Sequence, residues 1–325
     1  MHDIAIMGIG QIPVAEHWDR SLRDLAGEAM ISAIRDAGFD RIDAIFVGNM
    51  LSGIATKQEN LGALIADWTG NPGLSAIRVE AACSSGAAAL RMGIYELLSG
   101  EIEYAMIVGL EKMSETKGSE TTSSLATAAD ADYEVASGLS FVAINALIMK
   151  HYMSVYGWKH SDFANFSINS HQNATTNPNA RLKTRISLEN YLNARMISTP
   201  INLLDASPIG DGAAALLLTT RNNLQKSFSN RKKILIKSSS SATDTLAVHD
   251  RIKPGWLDAA ARSAVAAYKQ ADLSAENIDF FELHDAFSIM AALSLEACGF
   301  VEPGLGPSLA IQEEILPGGK LPICT

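Results

Sequence analysis

No apolar run in this sequence approaches the ~18 residues that a membrane-crossing helix needs. The N-terminus, MHDIAIMGIG, reads directly as a strand, with no basic stretch leading into an apolar signal segment. Cysteine is scarce: Cys83, Cys298 and Cys324 are scattered and odd in number. That spacing excludes a disulfide framework and paired metal ligands, so no metal is expected, and the thiols read as the reduced ones of a cytoplasmic protein. Positive charge is also short. The chain has 26 Lys and Arg against 36 Asp and Glu, a net charge of −10. A general nucleic-acid binder contacts phosphates through a basic surface, which this balance argues against. Nucleic acid and membrane are therefore not expected as partners. An anionic small ligand on a local basic patch stays open.

What is present is an ordinary globular composition, 47% hydrophobic and 19% charged over 325 residues. That length suits two domains, or one domain built in two halves. Strands and helices alternate from the start. Ile4 to Met7 is a strand. Ser21 opens a helix with Asp24 in a capping arrangement. Leu22, Leu25, Ala26, Ala29, Met30, Ala33 and Ile34 form its apolar stripe, and Gly38 ends it. A strand over 43–47, a helix over 60–68, a strand over 76–79, a helix over 83–98 closed by Gly100 and a strand over 104–108 follow. This order predicts an α/β sheet with helices on its faces.

Residues 112–195 break the pattern and read as a cap, with a polar stretch at 114–124 and an Asn-rich loop at 173–179. The sheet resumes at 213–219, and a polar, basic linker follows at 221–233. The first pattern then returns. Ile234 to Ile236 echoes Ile4 to Ile6, Leu257 to Tyr268 the first helix, Asp279 to Leu283 the second strand, and Leu321 to Cys324 the third. The domains expected are 1–111 with 196–228, a cap at 112–195, and a second, incomplete half at 229–325.

Among residues able to carry chemistry, VEAACSSGAAAL (79–90) stands first. A strand runs into a small-residue turn with Cys83 where the helix begins. Free amides and the dipole at a helix N-terminus stabilise a thiolate, although an isolated Ala-Cys-Ser is more often a buried, inert cysteine. His284, before Asp285 at a strand end, reads by itself as a capped turn. Arg181, Lys183 and Arg185 are either a solvated face or a phosphate contact. Gly8-Ile9-Gly10 lacks the third glycine of a dinucleotide fingerprint and reads as a structural turn. Asp205, Asp211 and Gly212 read as turn architecture, and Cys298 as core.

The stretch 79–114, continuing through LRMGIYELLSGEIEYAMIVGLEKMS, resembles the nucleophile region of thiolases, closest to the sterol-carrier-protein x type and archaeal branches. The resemblance continues through FVAINALIMK (141–150), HQNATTNPNARLKT (171–184), RMISTPINLLDASPIGDGAAALLL (195–218), SSSATDTLAVHDR (239–251) and IDFFELHDAFSIMAAL (278–293). It implies a layered α-β-α-β-α fold from two duplicated βαβαβαββ halves, a dimer or tetramer, and carbon–carbon bond chemistry on a coenzyme A thioester without a permanent cofactor. Cys83 would carry the acyl group. His284 would stand where most thiolases carry Asn-Glu-Ala-Phe and support the substrate oxyanion. Arg181 and Lys183 would lie near the coenzyme A entrance, and Ser240 and Ser241 in the segment lining the pantetheine channel.

The family's Gly-His-Pro and Cys-x-Gly segments do not occur in these 325 residues. The expectation is therefore an acyltransferase that is weak or inactive alone. The alternative is a degenerate or split subunit that binds acyl-CoA, a small partner protein or a complementing fragment. A ketoacyl-synthase-type condensing enzyme is the third reading, which the segments 195–208 and 284–287 disfavour.

Overall fold

A computed structural model describes residues 4–227 and 234–325, the side chains of 225–227 excepted. The chain forms two compact units, Met1–Ser124 with Ile209–Ser239 and Leu125–Pro208 with Ser240–Thr325.

The strands are β1 (Ile4–Gln11), β2 (Ala44–Gly48), β3 (Ser75–Val79), β4 (Tyr104–Glu111), β5 (Met196–Ser198), β6 (Ile201–Asn202), β7 (Gly212–Thr220) and β8 (Ile234–Ile236). The helices are α1 (Leu22–Ala37), α2 (Leu61–Trp68), α3 (Ser85–Ser99), α4 (Gly118–Ala126), α5 (Phe141–Tyr156), α6 (Ala164–Ala174), α7 (Leu188–Leu192), α8 (Arg221–Ser227), α9 (Asp258–Ala271), α10 (Ser288–Ala297) and α11 (Gly306–Ile311).

The first unit holds a six-stranded sheet in the order β3-β2-β4-β7-β1-β8. β2 pairs in parallel with β3 and β4, while β7 runs antiparallel between β4 and β1. Both faces are covered, so the strands are apolar at successive positions rather than alternately. Ile45, Val47, Met106, Val108, Ala215 and Leu217 pack with α1 and α2. Ala44, Phe46, Ala105, Ile107 and Leu218 pack with Ala89, Ile94 and Leu97 of α3.

Local chemistry sets the first helix. Ser21 caps α1 in a reciprocal box with Asp24, and Gly38 closes it in the left-handed conformation at φ 61°. Each device answers a backbone group that the helix end leaves unpaired. Gly8 and Gly10 do not form the turn expected of them; they lie inside β1. A Cβ on Gly8 would stand 2.2 Å from the Ala33 carbonyl oxygen, and one on Gly10 2.0 Å from that of Ala29. They are glycines because α1 lies directly on the strand.

The second unit is largely helical, with a core drawn from α5, α6, α10 and α11. Residues 125–208, the greater part of the expected cap, cluster with the C-terminal segment. The repeat read into the second half departs from the first in its strands. β8 does not open a second sheet. It adds antiparallel to β1, with Ile236 opposite Ile4, because the outer edge of β1 offers hydrogen-bonding groups that nothing else takes. Segments 279–283 and 321–324 meet in parallel at one bridge, Phe281 with Ile323, and neither is a ladder strand. Two parallel segments without further neighbours give too little pairing to propagate. The segment expected as a linker forms α8 over its first seven residues; 228–233 lie outside the described residues. No described helix is long and apolar enough to cross a membrane. No metal-holding group of His, Cys, Asp and Glu occurs among the described residues.

Candidate active site

Cys83 occupies the turn between β3 and α3, above the C-terminal ends of the parallel strands, where open α/β sheets place their ligands. The helix begins at Ser85, two residues later than the small-residue pattern predicts. Ala82 is held at φ 48°, a left-handed conformation that costs a residue with a Cβ about 1 kcal/mol. Hydrogen bonds fix that turn. The Ala82 amide donates to Glu80 Oε1 at 2.6 Å, the Ser85 hydroxyl donates to the Ala82 carbonyl at 2.6 Å, and the Ser84 hydroxyl donates to the Ala81 carbonyl at 2.7 Å. The result is an exposed cysteine on a hydrogen-bonded elbow.

The thiol departs from the expectation of a stabilised thiolate. Burial around the sulfur, the largest effect, and the Glu111 carboxylate push the Cys83 thiol above its ordinary value, against the help of its own amide. The turn offers little to offset this, since the Ser84 and Ser85 amides are already spent on the Ala81 and Ala82 carbonyls at 3.0 and 3.1 Å.

Two buried hubs were not visible as sites in the sequence. Asp211, read as a turn residue, is fully buried in the first unit. It accepts from the amides of His17, Met113 and Ser114 and from the Ser114 hydroxyl, and lies 3.4 Å from the buried Lys112 Nζ. Burial would raise its carboxyl, but these bonds outweigh burial and hold it down at about 2. In the second unit Asp205 accepts from Tyr191 Oη at 2.5 Å, Ser288 Oγ at 2.5 Å and the Asn202 amide at 2.8 Å, with His160 Nε2 at 2.7 Å. Burial and the Asp205 charge push the Tyr191 hydroxyl far up, so it stays a donor. Partners separated by up to 83 residues left no local signal for this cluster.

His284 is exposed in the irregular segment between Phe281 and α10. That segment is held on both flanks. On the N-terminal side the Phe281 amide donates to the Pro322 carbonyl at 2.8 Å, and on the C-terminal side the Ser207 amide donates to the Ala286 carbonyl at 3.0 Å. Beside His284, Asp285 accepts from Ser170 Oγ at 3.3 Å and from Cys324 Sγ at 3.5 Å. Burial, Asp285 and Glu282 push the Cys324 thiol far up, so it remains a donor. Cys298 caps α10 with a thiol raised by burial to about 11, an inert position.

Arg181 is half-buried and Lys183 and Arg185 are exposed in the loop after α6, where Lys183 Nζ donates to the Pro178 carbonyl at 2.8 Å. Ser240 is half-buried and Ser241 exposed in irregular backbone after β8. All four proposed coenzyme A contacts, Arg181, Lys183, Ser240 and Ser241, belong to the second unit with His284, and Cys83 belongs to the first. A cavity of about 410 Å³ on the first unit, beside Asp24, Glu28, Ile31 and Trp68, is lined by none of these residues.

Comparison with known proteins adds the following. Residues 5–222 match the family described as thiolase, N-terminal domain, and residues 240–325 match that described as thiolase C-terminal domain-like. The chain is 39% identical to an acetyl-CoA acetyltransferase of Methanothermobacter thermautotrophicus, over 94% of this chain and 79% of that one. It is 36% identical to an acetyl-CoA acetyltransferase of Methanocaldococcus jannaschii, over 97% and 80%. Its fold is similar to that of a solved Ltp2-ChsH2(DUF35) aldolase, with a TM-score of 0.83 at 21% identity, covering 99% of this chain and 84% of that one.

Proposed function

The chain belongs to the thiolase family, and on that premise we propose that it is an acyltransferase acting on coenzyme A thioesters through an acyl-cysteine at Cys83. The observation that carries this reading is the exposed thiol on a hydrogen-bonded strand-to-helix elbow. In the first half-reaction Cys83 Sγ attacks the thioester carbonyl carbon. Cys83 gives up its proton as it attacks, the carbon–sulfur bond to coenzyme A breaks, the departing coenzyme A thiolate takes up a proton in turn, and the acyl group stays on Cys83. In the second, a carbon nucleophile or a coenzyme A thiolate attacks that acyl group and frees the cysteine.

His284 is proposed to donate to the oxyanion, and its exposed position on a segment pinned at both flanks supports that role. Arg181 and Lys183 supply cationic side chains in an acidic protein, which suits phosphate, and Ser240 and Ser241 supply small donors for the pantetheine arm. A second copy of the chain is the proposed partner. Among the described residues β3 ends the sheet with no strand on its outer side, and Ile77 on it is 47% exposed.

The test is incubation of the 325-residue chain with acetyl-CoA, followed by mass spectrometry of the peptide that contains Cys83. The expected result is an acetyl group on that peptide and release of coenzyme A, both lost in Cys83→Ala. An unlabelled Cys83, or labelling undiminished in Cys83→Ala, would overturn the assignment.

A further inference from the structure

Glu111 is the last residue of β4, and strand alternation fixes where it points. Ile107 packs against α3, and a Cβ on Gly109 would lie 3.8 Å from Gly86 at the start of α3. Side chains two apart share a face, so Glu111 projects on the α3 side, toward the elbow that carries Cys83. The carboxylate is pinned there. Its Oε2 accepts from the Met50 and Leu51 amides at 3.0 and 3.1 Å, and its Oε1 accepts from Asn49 Nδ2 at 2.8 Å. The same loop is gripped from β3, where Arg78 donates to the Asn49 and Met50 carbonyls at 3.2 and 2.7 Å. Gly48 completes the approach, since a Cβ there would stand 2.5 Å from the Ser85 carbonyl oxygen.

Every one of these donors to Glu111 is a neutral amide, so its negative charge is not cancelled by a cation. The other charged groups around the elbow are engaged elsewhere. Arg78 pairs with Glu59 at 2.6 Å, Arg91 donates to the Ser239 carbonyl and lies over the Tyr95 ring, and Lys112 is held by Asp211 and Glu115. Glu80 is exposed and accepts from the Ala82 amide. Burial, the largest effect, raises the Glu111 carboxyl above its ordinary value, and the donated protons, with no acceptor in return, oppose that rise by favouring the carboxylate.

We infer that Glu111 is a positioning residue for Cys83: a fixed negative charge that disfavours the thiolate in the unliganded protein. The direction of the Cys83 shift agrees with this geometry. An exposed cysteine is open to alkylation and oxidation in proportion to its thiolate fraction, and a nearby anion lowers that fraction. A thiolate of higher basicity is also the stronger nucleophile once its proton is removed, so the restraint does not weaken the attacking sulfur.

The inference rests on the reading of Cys83 as the nucleophile, and the experiment separates the two. Iodoacetamide alkylation of Cys83 is followed by mass spectrometry across pH in the unaltered chain, Glu111→Gln and Glu111→Asp. The unaltered profile is expected to inflect above that of free cysteine. Glu111→Gln is expected to alkylate roughly 3- to 10-fold faster at neutral pH, as for loss of one partly screened charge nearby. Glu111→Asp keeps the charge and is expected to stay near the unaltered profile. Equal acceleration in both variants would assign the effect to the loop and overturn the inference. So would an unaltered profile inflecting at or below free cysteine, a result that needs no variant to fold. Acetylation of Cys83 by acetyl-CoA is measured in parallel on the unaltered chain. Its absence, with the charge effect intact, would remove the nucleophile reading and leave Glu111's effect standing.

Discussion

Asp211 shows how much a single carboxylate organises in the first unit. It answers three backbone amides, one hydroxyl and the buried Lys112 ammonium. Its folded carboxyl sits at about 2 against an ordinary 3.8. A depressed carboxyl stabilises the folded state above the unfolded value and loses that contribution as pH falls through the folded one. The stabilisation, roughly 2 kcal/mol, is therefore complete above about pH 4 and disappears toward pH 2. Urea unfolding across that range should show the slope, and Asp211→Asn should lack it. At neutral pH the same substitution removes one of the two carboxylates paired with the buried Lys112, leaving Glu115 at 3.3 Å, and should cost about 1–3 kcal/mol. A cost under about 0.5 kcal/mol would mean that the existing pair with Glu115 suffices for Lys112.

The decisive contact between elements in the first unit is the seating of α1 on β1. Two glycines permit it, and their effects should differ from those of glycines elsewhere. Gly10→Ala places a Cβ against the Ala29 carbonyl, a backbone atom that cannot swing aside, and should destabilise by about 3 kcal/mol. Gly86→Ala, with nothing within 4 Å of the added carbon, should change stability by less than about 0.5 kcal/mol. Chemical denaturation of both variants checks the pair, and equal costs would sink the close-packing explanation. The capping of α1 was legible from Ser21, Asp24 and Gly38, because caps are read from neighbours in sequence. The role of Gly8 and Gly10 was not, because the atoms that exclude a side chain there lie more than fifteen residues away in α1.

At the scale of the molecule, the proposed association rests on the edge of the sheet at β3. An exposed edge strand presents unpaired amides and carbonyls, and proteins cover or pair such edges. Sedimentation at micromolar concentration should give a homodimer, with Ile77→Lys shifting it toward monomer. A single species at the mass of one chain in the unaltered protein would refute the proposed partner.

The alternation of strands and helices, the α1 cap and the elbow at Cys83 were determined by the sequence itself. They depend on periodicity and on residues a few positions apart, where hydrophobic spacing and capping chemistry act directly. The family resemblance was legible in the same way, as the matches over 5–222 and 240–325 show. Tertiary structure alone decided that β8 joins the first sheet, that Asp205 gathers His160, Tyr191 and Ser288, and that Glu111 faces the Cys83 elbow. Each requires a free strand edge or a buried polar group to find its complement across the fold. That choice is made by desolvation and hydrogen-bond satisfaction in three dimensions, which no local pattern encodes.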